Sequence, residues 1–163
     1  MAFRVFILTS SDAGSRGERE DRSGPVIREM MTAAGYEIAG YALLPDERAM
    51  LADKMREVCD NDLADLLLTT GGTGFSPRDI TPEATLAVCE RLAPGIPEAM
   101  RALSLKITDR AMLSRAQAGI CRRSLIVNLP GSKKAVTECL GFILPPLRHG
   151  IDILRGEAGE CGR

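Results

Sequence analysis

A glycine-rich segment between a predicted strand and a predicted helix constrains the fold of this chain more than any other feature. Residues 69–84 read TTGGTGFSPRDITPEA and directly follow the apolar run LLL of residues 66–68. The segment has three glycines within four residues, which are Gly71, Gly72 and Gly74. Glycine permits a positive φ angle and close backbone approach, at an entropic cost that an ordinary turn avoids. Because a helix start follows at Thr81-Pro82, the segment predicts free N–H groups that can bind an anion.

Two charged side chains in the same segment suit a nucleotide or phosphate ligand. Arg78 supplies a forked cation that matches phosphate oxygens, and Asp79 supplies a carboxylate that can bind Mg²⁺. The alternative for Arg78 and Asp79 is a surface ion pair, which would contribute only about 0–1 kcal/mol. The three glycines favour the binding loop, because a plain turn rarely needs so many.

The composition is typical of one soluble globular domain. The chain has 163 residues, of which 45% are hydrophobic and 26% charged, which is enough for a substantial core. Its net charge of −1, with both signs mixed along the chain, argues against a nucleic-acid surface. We also expect no membrane span and no signal peptide, because no apolar stretch is long enough and a strand-like run begins at once.

The cysteines show no metal-binding pattern. They are odd in number, widely spaced and without a C-x-x-C pair: Cys59, Cys89, Cys121, Cys139 and Cys161. Such cysteines are typical of reduced, mostly buried thiols. We therefore expect a cytoplasmic protein.

Strand and helix patterns alternate along the chain. Apolar runs predict strands at residues 4–9, 36–44, 64–69 and 124–129. Caps, prolines and apolar periodicity predict helices at residues 26–34, from 45 onward, 81–92, 98–108 and 133–155. The last helix is predicted to be interrupted near Pro145-Pro146, residues 10–22 to form a loop, and residues 112–123 stay unassigned. These repeated units predict a single α/β domain, three-layer α/β/α with a mostly parallel sheet.

Polar side chains follow the carboxyl ends of the predicted strands. If the strands are parallel, they lie at one rim of the sheet, where ligands of such folds bind. They are Ser11, Asp12, Asp21, Asp46, Thr73, Arg78, Asp79, Asn128, Ser132 and Lys133. Carboxylates beside phosphate-binding amides suit Mg²⁺. The alternatives are that Asp46 and Ser132 only cap helices.

Several common enzyme classes are excluded by motif. The chain has no G-x-x-x-x-G-K-[ST] sequence, which excludes a P-loop NTPase, and no G-x-G-x-x-G after the first strand, which disfavours a dinucleotide dehydrogenase. The single histidine, His149, lies on the last predicted helix and supports no Ser-His-Asp arrangement.

Five blocks of sequence carry a resemblance to a known family. They read TSSD with DRSG (residues 9–12 and 21–24), LPDE (44–47), the glycine segment (70–83), MLSR with AG (112–115 and 118–119), and NLPGS (128–132). In this order and spacing, the chain resembles the molybdopterin adenylyltransferase family, which includes the G domain of gephyrin. The similarity runs from about residue 5 to about residue 154. We therefore expect a molybdopterin-binding domain at residues 1–155 and a flexible tail at residues 156–163.

The resemblance implies a reaction and an assembly. Members transfer AMP from ATP to molybdopterin with Mg²⁺ and release pyrophosphate, are usually homotrimers, and pass the product to a separate molybdate-inserting protein. The family's two essential acidic residues correspond to Asp46 and Asp79, which would also hold the metal. Thr73, Ser104 and Ser114 match contacts to the pterin or its phosphate. The resemblance and the rim loops together make the remaining substrate-binding candidates Ser11, Asp12, Gly71, Gly72, Gly74, Arg78, Asn128, Pro130, Gly131 and Ser132.

Two other functions remain open on the sequence. One is a carrier or scaffold that binds molybdopterin without turnover, and the other is a nucleotide-binding oligomer that ignores molybdopterin. The choice between molybdenum and tungsten, and the carboxylate that holds the metal, are also open.

Overall fold

One mixed sheet organises the protein, whose structure here is a computed structural model that describes residues 1–157. Its strands are β1 (Arg4–Ser10), β2 (Glu37–Leu44), β3 (Leu66–Thr70), β4 (Arg91–Leu92), β5 (Ala118–Cys121) and β6 (Ser124–Leu129). The helices are α1 (Asp12–Ser15), α2 (Ser23–Ala33), α3 (Arg48–Asp60), α4 (Thr81–Val88), α5 (Gly95–Ser104) and α6 (Lys133–Arg155). A 3₁₀ helix spans Asp109–Leu113.

The strands run in the order β2-β1-β3-β6-β5-β4. The first four are parallel, whereas β5 and β4 add an antiparallel edge. Ser10 at the end of β1 pairs with Leu44, and Thr70 at the end of β3 pairs with Leu129. The carboxyl ends of the four parallel strands therefore meet at one rim, as predicted.

Hydrophobic side chains cover both faces of the sheet. On one face, Ile7 and Leu68 pack with α2, α5 and α6, and on the other, Leu8 and Leu67 pack with α3 and α4. Neighbouring residues of one strand thus enter different cores, because side chains alternate across a strand. The prediction of a three-layer α/β/α domain is confirmed.

The edge of the sheet differs from the sequence prediction. The unassigned stretch contains β5, which forms a hairpin with β6 in which Cys121 pairs with Ser124. Arg122 in this turn has φ 55°, a conformation that usually marks glycine or asparagine, so the turn gives no sequence signal. The predicted helix at 81–92 ends at Val88 instead, because Arg91–Leu92 pairs with β5. The next helix begins earlier than expected and spans Gly95–Ser104, and α1 lies inside the predicted loop.

Helix α6 is continuous through Pro145 and Pro146, so the predicted interruption is wrong. Each proline removes one backbone hydrogen bond, but the helix buries Ile143, Leu147 and other apolar side chains in the core, which outweighs that cost. The helix ends at Gly156, where φ is 75° and the N–H groups of Gly156 and Glu157 donate to Ile153 and Asp152. The rest of the predicted tail, with Cys161, lies outside the described residues.

The helices and the cysteines agree with an ordinary globular domain. No helix in the described part of the chain is both long and apolar enough to cross a membrane. Within residues 1–157, four cysteines are free thiols, of which Cys59, Cys121 and Cys139 are buried and Cys89 is half-buried.

An ion-pair cluster closes the opposite rim, at the amino ends of the strands. The buried Asp65 carboxylate accepts hydrogen bonds from the backbone N–H of Arg4 (2.7 Å) and from its Nη2 (3.0 Å). Arg155 Nη2 lies 3.1 Å from the same carboxylate. Burial disfavours the charged Asp65, but the bonds from Arg4 and the charge of Arg155 outweigh it and lower its pKa.

We expect Asp65→Asn to lower the free energy of unfolding by about 2 kcal/mol, because it removes the charge-assisted contacts of two partly buried arginines, Arg4 and Arg155, which keep Asp62 as a partner. A folded pKa below the unfolded value of about 3.9 stabilises the protein above that pH, and this contribution is lost as the pH falls through the folded pKa. Wild type should therefore lose stability on acidification more steeply than the variant. Urea denaturation at neutral and acidic pH tests this, with the exposed Asp53→Asn as control. Equal stability of Asp65→Asn and wild type would contradict it.

Candidate functional site

A cleft of about 740 Å³ opens at the carboxyl rim of the sheet. It lies between the glycine loop and the first residues of α2 and α6, whose N–H groups favour anions. Nine of the predicted site residues line it: Ser11, Asp21, Asp46, Gly71, Gly72, Asp79, Gly131, Ser132 and Lys133. Arg19, Arg22 and Lys133 add cationic side chains to the same lining. The lining also has four carboxylates, which are Glu20, Asp21, Asp46 and Asp79. The cations and helix N-termini suit a polyanionic ligand, and the carboxylates suit a cation bound with it.

The glycine loop needs its glycines for two different contacts. Gly71 has φ 94°, and a Cβ there would lie 2.4 Å from the carbonyl oxygen of Ser10. Gly72 has φ 67°, and its Cβ would lie 2.4 Å from Thr81 Oγ1 and 3.3 Å from Asp46 Oδ1. The absence of a side chain at Gly71 lets the loop approach the end of β1, and its absence at Gly72 lets the loop approach Thr81 and Asp46.

Asp46 is held by the last residue of β1 and by the chain that follows it, not by its own helix. Its carboxylate accepts hydrogen bonds from Ser10 Oγ and from the backbone N–H of Asp12 (2.9 Å). The backbone N–H of Asp46 in turn donates to Asp12 Oδ1 (3.0 Å). Helix α3 begins at Arg48, with Glu47 at its N-cap position, so the capping interpretation of Asp46 is wrong.

Arg78 is already paired with acidic side chains. Its Nε and Nη2 donate to Asp12 at 3.0 and 3.1 Å, and Nη2 also donates to Glu47 at 2.7 Å. The bond from Arg78, followed by that between Asp12 and Asp46, lowers the pKa of Asp12. In this arrangement, Arg78 anchors the glycine loop to the α1 side of the cleft, and its charge is balanced within the protein.

Asp79 ends a tight turn in the glycine loop. Its Oδ2 accepts a hydrogen bond from the backbone N–H of Ser76 (2.9 Å), and its own N–H donates to the Ser76 carbonyl (2.9 Å). The turn therefore fixes the carboxylate at the cleft without using Arg78, its neighbour in sequence.

A second, smaller cleft of about 290 Å³ lies on the other side of the loop. Five of the predicted residues line it: Thr73, Gly74, Ser104, Ser114 and Pro130. The predicted constellation is thus divided between two clefts, with the segment from Thr73 to Asp79 between them. Sequence reasoning treated them as one site.

Asn128 lies in the core and lines neither cleft. It is fully buried, and its Nδ2 donates to Thr69 Oγ1 (2.9 Å) and to Thr85 Oγ1 (2.8 Å). Its Oδ1 accepts from the backbone N–H of Gln117 (3.1 Å). The structure therefore places this amide as a cross-link between β3, α4 and the residue before β5, because the side chain of a central strand points into a helix layer.

Ser132 both caps a helix and lines the first cleft. Its Oγ accepts a hydrogen bond from the N–H of Ala135 (3.2 Å), which caps α6, and the residue also lines the first cleft. Helix α4 begins at Thr81 as predicted, with Ile80 at its N-cap position, and Thr81 Oγ1 is buried and has no hydrogen-bond partner among the described residues.

Arg115 supports the glycine loop, a role that its sequence context did not reveal. Its guanidinium donates to the carbonyl oxygens of Gly74 (2.8 Å) and Asp79 (2.5 Å) and pairs with Glu83. Its only sequence signal is membership of the block MLSR, which carries no role by itself. These contacts join residues 32 to 41 positions apart, which local pattern cannot show.

Asp21 organises the start of α2 at the cleft. It accepts hydrogen bonds from the N–H groups of Ser23 and Gly24, from Thr9 Oγ1 and from Tyr41 OH (2.6 Å). Burial opposes ionisation of Asp21, but these bonds outweigh it and lower the pKa.

We expect Tyr41 to ionise well above the ordinary tyrosine range. Burial and the bond to Asp21 raise its pKa from 10.0 to about 12. Asp21→Asn should lower this pKa, because the phenolate would no longer face a carboxylate. Tyrosinate absorbance during an alkaline titration measures it, since the chain has two tyrosines and no tryptophan, and Tyr41→Phe assigns the signal. An unchanged titration in Asp21→Asn would contradict the prediction.

Within residues 1–157, no group of three or more His, Cys, Asp or Glu side chains is arranged to hold a metal.

Comparison with known proteins connects this site to a family. The family model described as "probable molybdopterin binding domain" matches residues 6–149. A molybdopterin adenylyltransferase of Helicobacter pylori J99 is 42% identical over 93% of this chain and 88% of its own length. That of Escherichia coli K12 is 41% identical over 84% and 71%.

A solved crystal structure of a similar protein has the same fold. The crystal structure of the molybdopterin biosynthesis enzyme MoaB of Thermus thermophilus has a TM-score of 0.90 and 47% identity, and covers 94% of this chain and 97% of that one. From the matched family, the identities and the shared fold, this chain belongs to the molybdopterin-binding family of molybdenum cofactor biosynthesis proteins.

Proposed function

We propose that this protein is a molybdopterin adenylyltransferase, which transfers AMP from ATP to the terminal phosphate of molybdopterin and releases pyrophosphate. The observation that carries the proposal is the position of Asp46 and Asp79 in one cleft, beside a glycine loop and two helix N-termini. The relatives named for this activity support it, since they match most of the chain.

The charge of the reactants explains the architecture. A phosphate oxygen of molybdopterin attacks the α-phosphorus of ATP, and the bond to the bridging oxygen of pyrophosphate breaks. Both reactants are anions, so the site must offset their repulsion and hold them in line. The amides of the glycine loop, the helix N-termini and Lys133 can bind and orient phosphate groups. No general base is required, because the attacking phosphate is already ionised.

The residues of the cleft fit Mg²⁺. The space that a side chain at Gly72 would fill is bordered by the buried, unpartnered Thr81 Oγ1 and by Asp46 Oδ1. Mg²⁺ takes oxygen ligands, and one or two carboxylates with substrate phosphates and water are sufficient. Asp46 and Asp79 would hold it. When bound, the ion would neutralise phosphate charge as it develops.

We place ATP in the first cleft and molybdopterin in the second. The first is bordered by cations and helix N-termini, whereas the second offers Thr73, Ser104 and Ser114 hydroxyls beside Met100 and Leu113. Family resemblance further supports a cytoplasmic homotrimer, a domain at residues 1–155 with a tail at 156–163, and transfer of the product to a separate molybdate-inserting protein.

Pyrophosphate release from ATP and Mg²⁺, with and without molybdopterin, tests the function. We expect release that depends on molybdopterin. Binding of molybdopterin without release would instead support a carrier or scaffold. Binding of ATP without any response to molybdopterin would support a nucleotide-binding oligomer, and either result would contradict the proposal.

A further inference from the structure

The segment from Thr73 to Asp79 separates the two clefts and has two external anchors. On the side of the first cleft, Arg78 pairs with Asp12 and Glu47. On the side of the second cleft, the only described side chain that hydrogen bonds to backbone atoms of this segment from outside is that of Arg115. Gly74 lines the second cleft and Asp79 the first, so the segment carries the walls of both.

Arg115 holds both ends of the stretch from Gly74 to Asp79, which includes the tight turn that carries the Asp79 carboxylate. Its Nε donates to the Gly74 carbonyl (2.8 Å), and its Nη2 donates to the Asp79 carbonyl (2.5 Å). The backbone N–H of Arg115 also donates to the Thr73 carbonyl (2.9 Å). Glu83 pairs with the remaining nitrogen, Nη1, and keeps the guanidinium oriented.

The geometry requires a guanidinium and not merely a positive charge. A planar guanidinium presents several donors in a fixed fork, so two carbonyls bound to it keep a fixed separation. A lysine ammonium has no such fork and cannot impose that separation. The turn is also tight, because a Cβ on Gly74 would lie 2.9 Å from Asp79 Oδ2. Movement at one end of the turn therefore shifts the carboxylate at the other.

We propose that Arg115 is a positioning residue for adenylyl transfer, which fixes the Asp79 carboxylate in the first cleft relative to Gly74 in the wall of the second cleft by clamping the Gly74 and Asp79 carbonyls. The inference rests on the proposed function. Arg115 lines neither cleft in the described structure, so it acts through the loop and not by contact with a ligand. Misplacement of a reacting group by about 1 Å can lower a rate by about 10²-fold.

The test compares Arg115→Lys, Arg115→Gln and Arg115→Ala with a matched control. Arg122→Gln is the control, because Arg122 also pairs with two carboxylates, Asp60 and Glu90, but at the surface and away from both clefts. Steady-state pyrophosphate release gives kcat and the KM for ATP, and thermal unfolding gives Tm. Guanidinium ion is added to Arg115→Ala at concentrations that leave Tm unchanged.

We expect kcat to fall about 10²-fold in all three Arg115 variants, including lysine, while the KM for ATP changes little and Arg122→Gln behaves as wild type. Guanidinium should restore part of the activity of Arg115→Ala and none of any loss in Asp79→Asn. Wild-type kcat in Arg115→Lys would overturn the positioning role, as would a loss that follows Tm alone without rescue. If Arg115→Ala does not fold, Arg115→Lys decides, since a kcat at the wild-type value with unchanged Tm overturns the proposal and a kcat about 10²-fold lower with unchanged Tm supports it. Absence of release by wild type would overturn the proposed function itself, which is a distinct result.

Discussion

Asp79→Asn and Asp46→Asn are each expected to lower molybdopterin-dependent pyrophosphate release by about 10²–10³-fold, the usual effect of removing one electrostatic group from such a site. Both changes remove a charge and keep the shape. Asparagine at position 79 can still accept from the N–H of Ser76. At position 46, its oxygen can accept from Asp12 and its amide can donate to Ser10, whose hydroxyl rotates.

The fold should therefore survive, and the loss should appear in the rate. The measurement is kcat for pyrophosphate release, with circular dichroism to confirm folding. Asp53→Asn is the matched control, because Asp53 is exposed on α3 and pairs only with Arg56 among the described residues. A variant at position 46 or 79 that retains more than about a tenth of wild-type kcat would remove that carboxylate from the proposed mechanism.

Gly71→Ala should have the largest effect on stability among the loop substitutions, a decrease of about 3 kcal/mol in the free energy of unfolding. Gly71 has φ 94°, which is strained for alanine. The added Cβ would also lie 2.4 Å from the Ser10 carbonyl oxygen, which belongs to the backbone of β1 and cannot rotate away. The loop must shift, so the rate of adenylyl transfer should fall as well.

Gly141→Ala is the control, and we expect it to raise the free energy of unfolding where Gly71→Ala lowers it. Gly141 lies in α6, and a Cβ there meets no atom within 4 Å. Alanine in an exposed helix position is more favourable than glycine by about 1 kcal/mol. Urea denaturation measures both variants. If Gly71→Ala were as stable as wild type, the close approach of loop and strand would not be a feature of the folded protein in solution.

Local sequence predicted the parts of the fold that depend on local physics. The apolar runs before Thr9 and Thr69 identified central strands, because such strands are buried on both faces. The hairpin of β5 and β6 was missed, because its turn uses Arg122 with positive φ where glycine or asparagine is usual. The continuity of α6 through Pro145 was also missed, since the burial of its apolar face outweighs the lost hydrogen bonds.

By itself, the sequence determined that a strand, a three-glycine loop and a helix stand together, with Asp79 in that loop and Asp46 after another strand. These features follow from the φ preferences of glycine and from short-range hydrophobic pattern. Only the tertiary structure decided which residues meet.

In the tertiary structure, Asp46 hydrogen bonds to Ser10, which is 36 positions away, and Arg78 pairs with Asp12. The predicted site is divided into two clefts, and Arg115 contacts the glycine loop. The physical reason is that a side chain's partners depend on strand order and helix packing. These are set by the sum of many long-range contacts, which no single stretch of sequence records.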